Sequence, residues 1–195
     1  MKIAVIKYNA GNIRSVLFAL ERIGVEAVVT DNHDEIRSAD KVIFPGVGEA
    51  SSAMRYLKER GLDKLIVSLK QPVLGICLGM QLMCRHSEEN DTDCLGIFDQ
   101  DVKLFPSTDG YKIPQIGWNN IKDLKSGIFR GIPENSYMYF VHGYYVGVGE
   151  NTAAQTNYIF DYSSALNKDN FYAVQFHPEK SGETGQKILK NFIQL

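Results

Sequence analysis

The feature that most restricts this chain is an alternation of short β-branched runs with amphipathic stretches, repeated four times before residue 88. "KIAVIKY", "VEAVVT", "KVIFPGVG" and "PVLGICLG" are short and apolar, so they read as buried strands. After the first of them, Ile13, Val16, Leu17 and Leu20 recur at helical spacing, with Asn12 as a candidate N-cap and Gly24 as the stop. "DEIRSA", "EASSAMRYLKERG", "LDKLIVSLK" and "MQLMCRHS" read as further helices. Strands and helices joined by short loops take right-handed crossovers and build a parallel sheet covered on both faces.

From about residue 95 the texture changes. "GIFDQDVKLFP", "KIPQIGWNNI", "YMYFVHGYYVGV", "TAAQTNY" and "FYAVQFH" look like successive strands with few helices between them, which predicts antiparallel pairing. An amphipathic helix, "TGQKILKNFIQL", closes the chain, and no linker or repeat interrupts it. The expectation is therefore an α/β domain spanning 1–195. Its open, mostly parallel sheet is flanked by helices and carries antiparallel strands in the C-terminal half.

A net charge of −2 without a basic run gives nucleic-acid binding no electrostatic support. No apolar run approaches the roughly 18–20 residues of a membrane span, and the start lacks a secretory signal pattern. The odd set Cys77, Cys84 and Cys94 is no disulfide framework, and neither Cys-x-x-Cys nor clustered histidines suggest zinc. A reduced, cytoplasmic setting is expected, with no metal or organic cofactor.

Two stretches carry chemistry. In "GICLGMQ", Cys77 lies between a strand and a helix with Gly75 and Gly79 two residues to either side. This is the pattern of a nucleophile elbow, where small neighbours relieve a crowded turn. A thiol at a helix start also feels the positive end of the dipole, which favours thiolate. Free cysteine is equally at home as a small buried hydrophobe. Cys84, expected on the following helix, and Cys94, expected in a polar loop, lack such flanks and read as inert. In "YAVQFHPEKSG", a strand ends in His177-Pro178-Glu179, which offers a general base and an acid to orient it if the strand lies near Cys77. "PGVG", residues 45–48, ends another strand and could expose backbone N–H groups to an oxyanion, or be simply a tight turn.

With "PGVG", "GICLGMQ" and "FHPEKSG" in this order and spacing, the chain resembles the class I, triad-type glutamine amidotransferases over nearly its whole length. "YNAGNIRSV", "PQIGWN" and "YFVHGYYV" are similar to the branch that serves as glutaminase subunit of imidazole glycerol phosphate synthase. The resemblance implies Cys77 as nucleophile on L-glutamine, His177 as base and acid, and Glu179 as its support. It further implies an oxyanion hole near Gly46, Val47 and Leu78, and a glutamine pocket lined by Gly48 and Gln81. It implies a heterodimer with a (β/α)₈ cyclase subunit that receives the ammonia, reached through Asn12, Trp118, Asn119, Tyr139, His142 and Lys180. Apart from the resemblance, Trp118 fits core packing as well as an interface, and Tyr139 fits a two-faced strand. Lys7, Asn9 and Gln115 depart from that branch's usual residues, which bears on subunit contacts and inter-site signalling. A glutaminase of the same fold serving pyridoxal phosphate synthesis, a non-catalytic binding module and a cysteine protease are the competing readings.

Overall fold

The computed structural model describes residues 1–9 and 11–195. The first half alternates as expected. Strands β1 (Ile3–Ile6), β2 (Ala27–Thr30), β3 (Lys41–Phe44) and β4 (Val73–Ile76) are separated by α1 (Ile13–Arg22), α2 (His33–Arg37), α3 (Ala50–Glu59) and α4 (Leu62–Ser68). After β4 come α5 (Leu78–Met83), β5 (Cys84–Ser87), β6 (Thr92–Asp93) and β7 (Phe98–Leu104). Next are β8 (Gln115–Ile121), β9 (Ser136–His142), β10 (Tyr144–Val146) and β11 (Thr152–Tyr158). The chain ends with β12 (Phe160–Lys168), β13 (Phe171–Val174) and α6 (Gly182–Ile193).

The main sheet runs β2-β1-β3-β4-β13-β12-β10-β7-β5-β6, with β11 added beside β12, while β8 and β9 form a separate antiparallel ribbon. The pairs β1–β2, β1–β3, β3–β4 and β4–β13 are parallel, and β13–β12, β12–β10 and β10–β7 are antiparallel. β1, β3 and β4 are buried throughout, as strands covered on both faces must be. One core layer packs Phe44, Leu57, Ile66 and Phe98, and the other packs Leu20, Ile43, Phe140 and Phe192.

Several local expectations are corrected. "MQLMCRHS" does not continue as one helix: α5 ends at Met83, and Cys84 opens β5, which pairs in parallel with β7. The apolar spacing of Met80, Met83 and Cys84 suits a helix, but the sheet edge supplies hydrogen-bond partners that override it. "YMYFVHGYYVGV" is two strands in two sheets, divided at Gly143. β12 was not among the expected strands; Tyr162 to Leu166 are all buried, so the strand shows no apolar–polar alternation to read.

Candidate active site

The parallel pairing of β4 with β13 sets Ile76 beside Val174, so the residues that follow each strand emerge at the same carboxyl edge. Cys77 and His177 leave from these neighbouring strands, and the Cys77 N–H donates to the Val174 carbonyl at 2.8 Å. Cys77 has φ 53° and ψ −106°, a backbone region costly for any side chain but glycine. The crowding behind it explains both flanking glycines. A Cβ on Gly79 would lie 1.9 Å from the Phe44 carbonyl oxygen, and one on Gly75 would lie 2.9 Å from the Met83 sulfur.

His177 is fully buried, and its Nδ1 donates to Glu179 Oε1 at 2.7 Å. That bond fixes the tautomer and leaves Nε2, which has no partner among the described residues, free for a proton. Burial by itself pulls the imidazole pKa down. The nearby Cys77 sulfur and the hydrogen-bonded Glu179 carboxylate, through their negative charge, outweigh that and lift it to about 10. Asn12 has φ 75° and does not cap α1; its amide donates to Glu179 Oε1 from behind. Asn12 thus stands at the N-cap position as expected, but its side chain makes no capping hydrogen bond. Its side chain supports the His177–Glu179 pair, although the resemblance assigned it to the partner face.

A cavity of about 310 Å³ opens beside Cys77, lined by Val47, Gly48, Cys77, Leu78, Gln81, Glu89, Pro114, Val141, His142, Gly143 and Tyr144. Val47, Gly48, Leu78 and Gln81 were expected there, and Gly46 is not on the lining. Gln81 Nε2 donates to Gln175 Oε1 at 3.0 Å and to the Tyr144 carbonyl at 3.3 Å, so the side chain is held as part of the wall. Glu89 was missed by the sequence reading. It lies between β5 and β6, and its Oε2 accepts from the Ala50 N–H at 2.8 Å.

The Pro45–Gly48 turn, expected to supply oxyanion donors, has a definite orientation. The Leu78 N–H, one of the donors wanted for an oxyanion, instead donates to the Gly46 carbonyl at 3.1 Å. The turn therefore presents the Gly46 carbonyl, and not an N–H, toward Leu78.

The β8–β9 ribbon separates the remaining expected residues by face. Trp118 lies opposite Tyr139 with ring centroids 6.1 Å apart, and Trp118 is 56% exposed. Lys180 Nζ stands 5.8 Å from the Tyr139 ring centre on the same outer side. Asn119 pairs with buried Met138 on the opposite face and donates to the Asn157 carbonyl at 2.9 Å. His142, expected on the partner face, is only 5% exposed and points inward. Its Nδ1 donates to the Tyr144 carbonyl at 2.6 Å and its Nε2 lies 3.2 Å from the Tyr162 hydroxyl. Burial lowers its pKa to about 4, so the ring is neutral. In a ribbon, adjacent residues face opposite ways, so His142 and Asn119 share the inner face, where His142 is buried and Asn119 half-buried. The outer ribbon is wired to the catalytic edge through main chain. The His177 N–H donates to the Tyr139 carbonyl at 2.9 Å, and the Tyr139 N–H donates to the Ser181 hydroxyl at 3.0 Å.

Among the described residues no cluster of acidic, His and Cys side chains is placed to hold a metal, and no helix is long and apolar enough to cross a membrane. Solved structures of a glutamine amidotransferase (TM-score 0.75, 16% identity, 98% of this chain and 97% of that one) and of PurLQS from Thermotoga maritima (0.68, 16%, 99% and 97%) share the fold. Closer in sequence are the proteins named imidazole glycerol phosphate synthase subunit HisH from Bacteroides fragilis and Yersinia pseudotuberculosis. They are 63% and 44% identical to this chain, each over 100% of both sequences. The family model described as glutamine amidotransferase class-I matches residues 4–195. With that match and full-length relatives of this identity, the chain belongs to the class-I glutamine amidotransferase family and is a glutamine amidotransferase enzyme.

Proposed function

We propose that this enzyme is the glutaminase subunit of imidazole glycerol phosphate synthase and acts through Cys77, His177 and Glu179. The observation that carries the reading is the buried, unpartnered Nε2 of His177, held by Glu179 on the strand end next to Cys77. Nε2 carries the proton drawn from the thiol, and the thiolate sulfur attacks the side-chain amide carbon of L-glutamine. The same proton then passes to the departing nitrogen, releasing ammonia and leaving a γ-glutamyl thioester. Water, deprotonated by His177, adds to the thioester and releases glutamate. Glu179 keeps the ring oriented and stabilises its charged form at each step.

The tetrahedral intermediate needs donors for its oxyanion. Rotating the Gly46–Val47 peptide withdraws the Gly46 carbonyl from the Leu78 N–H and turns the Val47 N–H toward the same point. Gly48 and Gln81 line the pocket, and the Glu89 carboxylate suits the α-ammonium of the substrate.

The exposed Trp118–Tyr139 face, with Ile116, Tyr137 and Lys180 around it, is suited to a protein partner by its aromatic content. In this reading the partner is the (β/α)₈ cyclase subunit, bound as a heterodimer in the cytoplasm. Ammonia released to water would be protonated and lose its nucleophilicity, so direct transfer preserves the reactive form. The cyclase combines it with a phosphoribulosyl-formimino-carboxamide ribonucleotide, giving imidazole glycerol phosphate and an aminoimidazole carboxamide ribotide for histidine biosynthesis. The test is glutamate release by this chain with the cyclase and ribonucleotide present. Release independent of both would contradict the assignment.

A further inference from the structure

We propose that the buried hydroxyl of Tyr8 is the fixed pivot of the Pro45–Gly48 turn, a positioning group that leaves the Gly46–Val47 peptide as the unit that rotates. This deepens the glutaminase reading and rests on it. The three carbonyls of Pro45, Gly46 and Val47 each meet a donor: the Tyr8 hydroxyl at 2.6 Å, the Leu78 N–H at 3.1 Å and the Gly11 N–H at 3.2 Å. They are not equivalent. Rotation about Gly46 ψ and Val47 φ necessarily moves the Gly46 carbonyl, yet it leaves the Pro45–Gly46 peptide plane where it was.

The Pro45 carbonyl is also the most firmly held. Tyr8 is buried, its ring lies against Phe44 with centroids 5.2 Å apart, and its hydroxyl bond is the shortest of the set. Burial, reinforced by negative charge at Cys77, holds the phenol pKa well above 10, so the group remains a donor while the thiolate forms. The α-carbon of Gly46 is clamped at the same point. A Cβ there would lie 1.9 Å from the Tyr8 oxygen and 3.3 Å from the Leu78 Cβ, so the axis of rotation passes through an atom that cannot shift. The proline before it has a fixed φ and adds no play.

The experiment compares Tyr8→Phe with the unaltered chain, each in complex with the cyclase. It measures kcat and KM for glutamine, ammonia-dependent synthesis, and alkylation of Cys77 by iodoacetamide, which needs no oxyanion hole. The expected result is a loss of about 10- to 100-fold in kcat with KM within about twofold. Ammonia-dependent synthesis and Cys77 alkylation stay unchanged. Gly46→Ala, which drives a methyl into the hydroxyl while keeping Tyr8, gives the same kcat loss and covers the case in which Tyr8→Phe does not fold. An unchanged kcat, a rise in KM alone, or an unstimulated rate climbing to the stimulated one would overturn the pivot. Failure of the unaltered complex to hydrolyse glutamine would instead overturn the glutaminase reading.

Discussion

The turn after β4 and the turn after β3 stand side by side at one edge of the sheet, and both are glycine-rich, yet they are built differently. At the β4 elbow, Gly79 is pressed against the Phe44 carbonyl and Cys77 is held in a strained backbone by its bond to Val174. Nothing there has room to move. At the β3 turn, Gly48 has φ 133° with open space where a side chain would stand, and the Gly46 carbonyl occupies the Leu78 N–H. In the proposed mechanism the nucleophile is thus preorganised, and the group that would stabilise the tetrahedral intermediate is held back. In the proposed function, a glutaminase that must not waste glutamine is restrained by a single peptide orientation, with the His177–Glu179 pair left in place.

The largest expected effect breaks the rigid side outright. Cys77→Ala should reduce glutamine-dependent synthesis by about 10⁴-fold or more while ammonia-dependent synthesis by the complex is retained. Loss of both activities would contradict the division of labour between subunits. The two turns are then separated by paired glycine substitutions. Gly79→Ala must displace the Phe44 backbone and should cost about 3 kcal/mol or more, seen as a fall in Tm of roughly 10 °C. Gly48→Ala meets no atom and carries only backbone strain of about 1–2 kcal/mol, so its Tm falls by less. Equal losses would erase the contrast.

Acid titration probes the inner face of the ribbon. His142 is held neutral with a pKa of about 4, below the roughly 6.5 of an unfolded chain, so the unfolded state binds the extra proton. Its contribution is present above pH 6.5 and is lost as pH falls toward 4, on the order of 3 kcal/mol. Unfolding of a His142→Gln variant, followed between these values, should show a flatter pH dependence. On the outer face, Trp118→Ala should weaken cyclase binding by about 10- to 30-fold with unstimulated hydrolysis unchanged. Smallest of all, Cys94→Ser should leave turnover within about twofold, because burial pushes that thiol up to about 12 and keeps it protonated.

Much of this was legible in the chain because it rests on local pattern. The β-branched runs marked β1 to β4, the spaced glycines marked the elbow, and His177-Pro178-Glu179 marked a strand end carrying a base and its support. What escaped depends on tertiary partners. Cys84 to Ser87 became a strand because a sheet edge was available, and β12 hid because burial on both faces removes alternation. Asn12 stands at the helix N-cap as its sequence suggests, but its side chain is turned to donate to the buried Glu179 carboxylate and not to accept from the first turn. The direction of the Gly46 carbonyl was beyond reach for a different reason. Glycine accepts either orientation of the neighbouring peptide, so the residue that permits the switch cannot reveal its position.

The most direct measurement is the rate of glutamate release by this chain alone and in complex with the cyclase and its ribonucleotide. A carbonyl filling the hole predicts stimulation of at least about 10²-fold, the worth of one oxyanion donor, with KM for glutamine little changed. An isolated chain that already hydrolyses glutamine at the rate of the complex would contradict it.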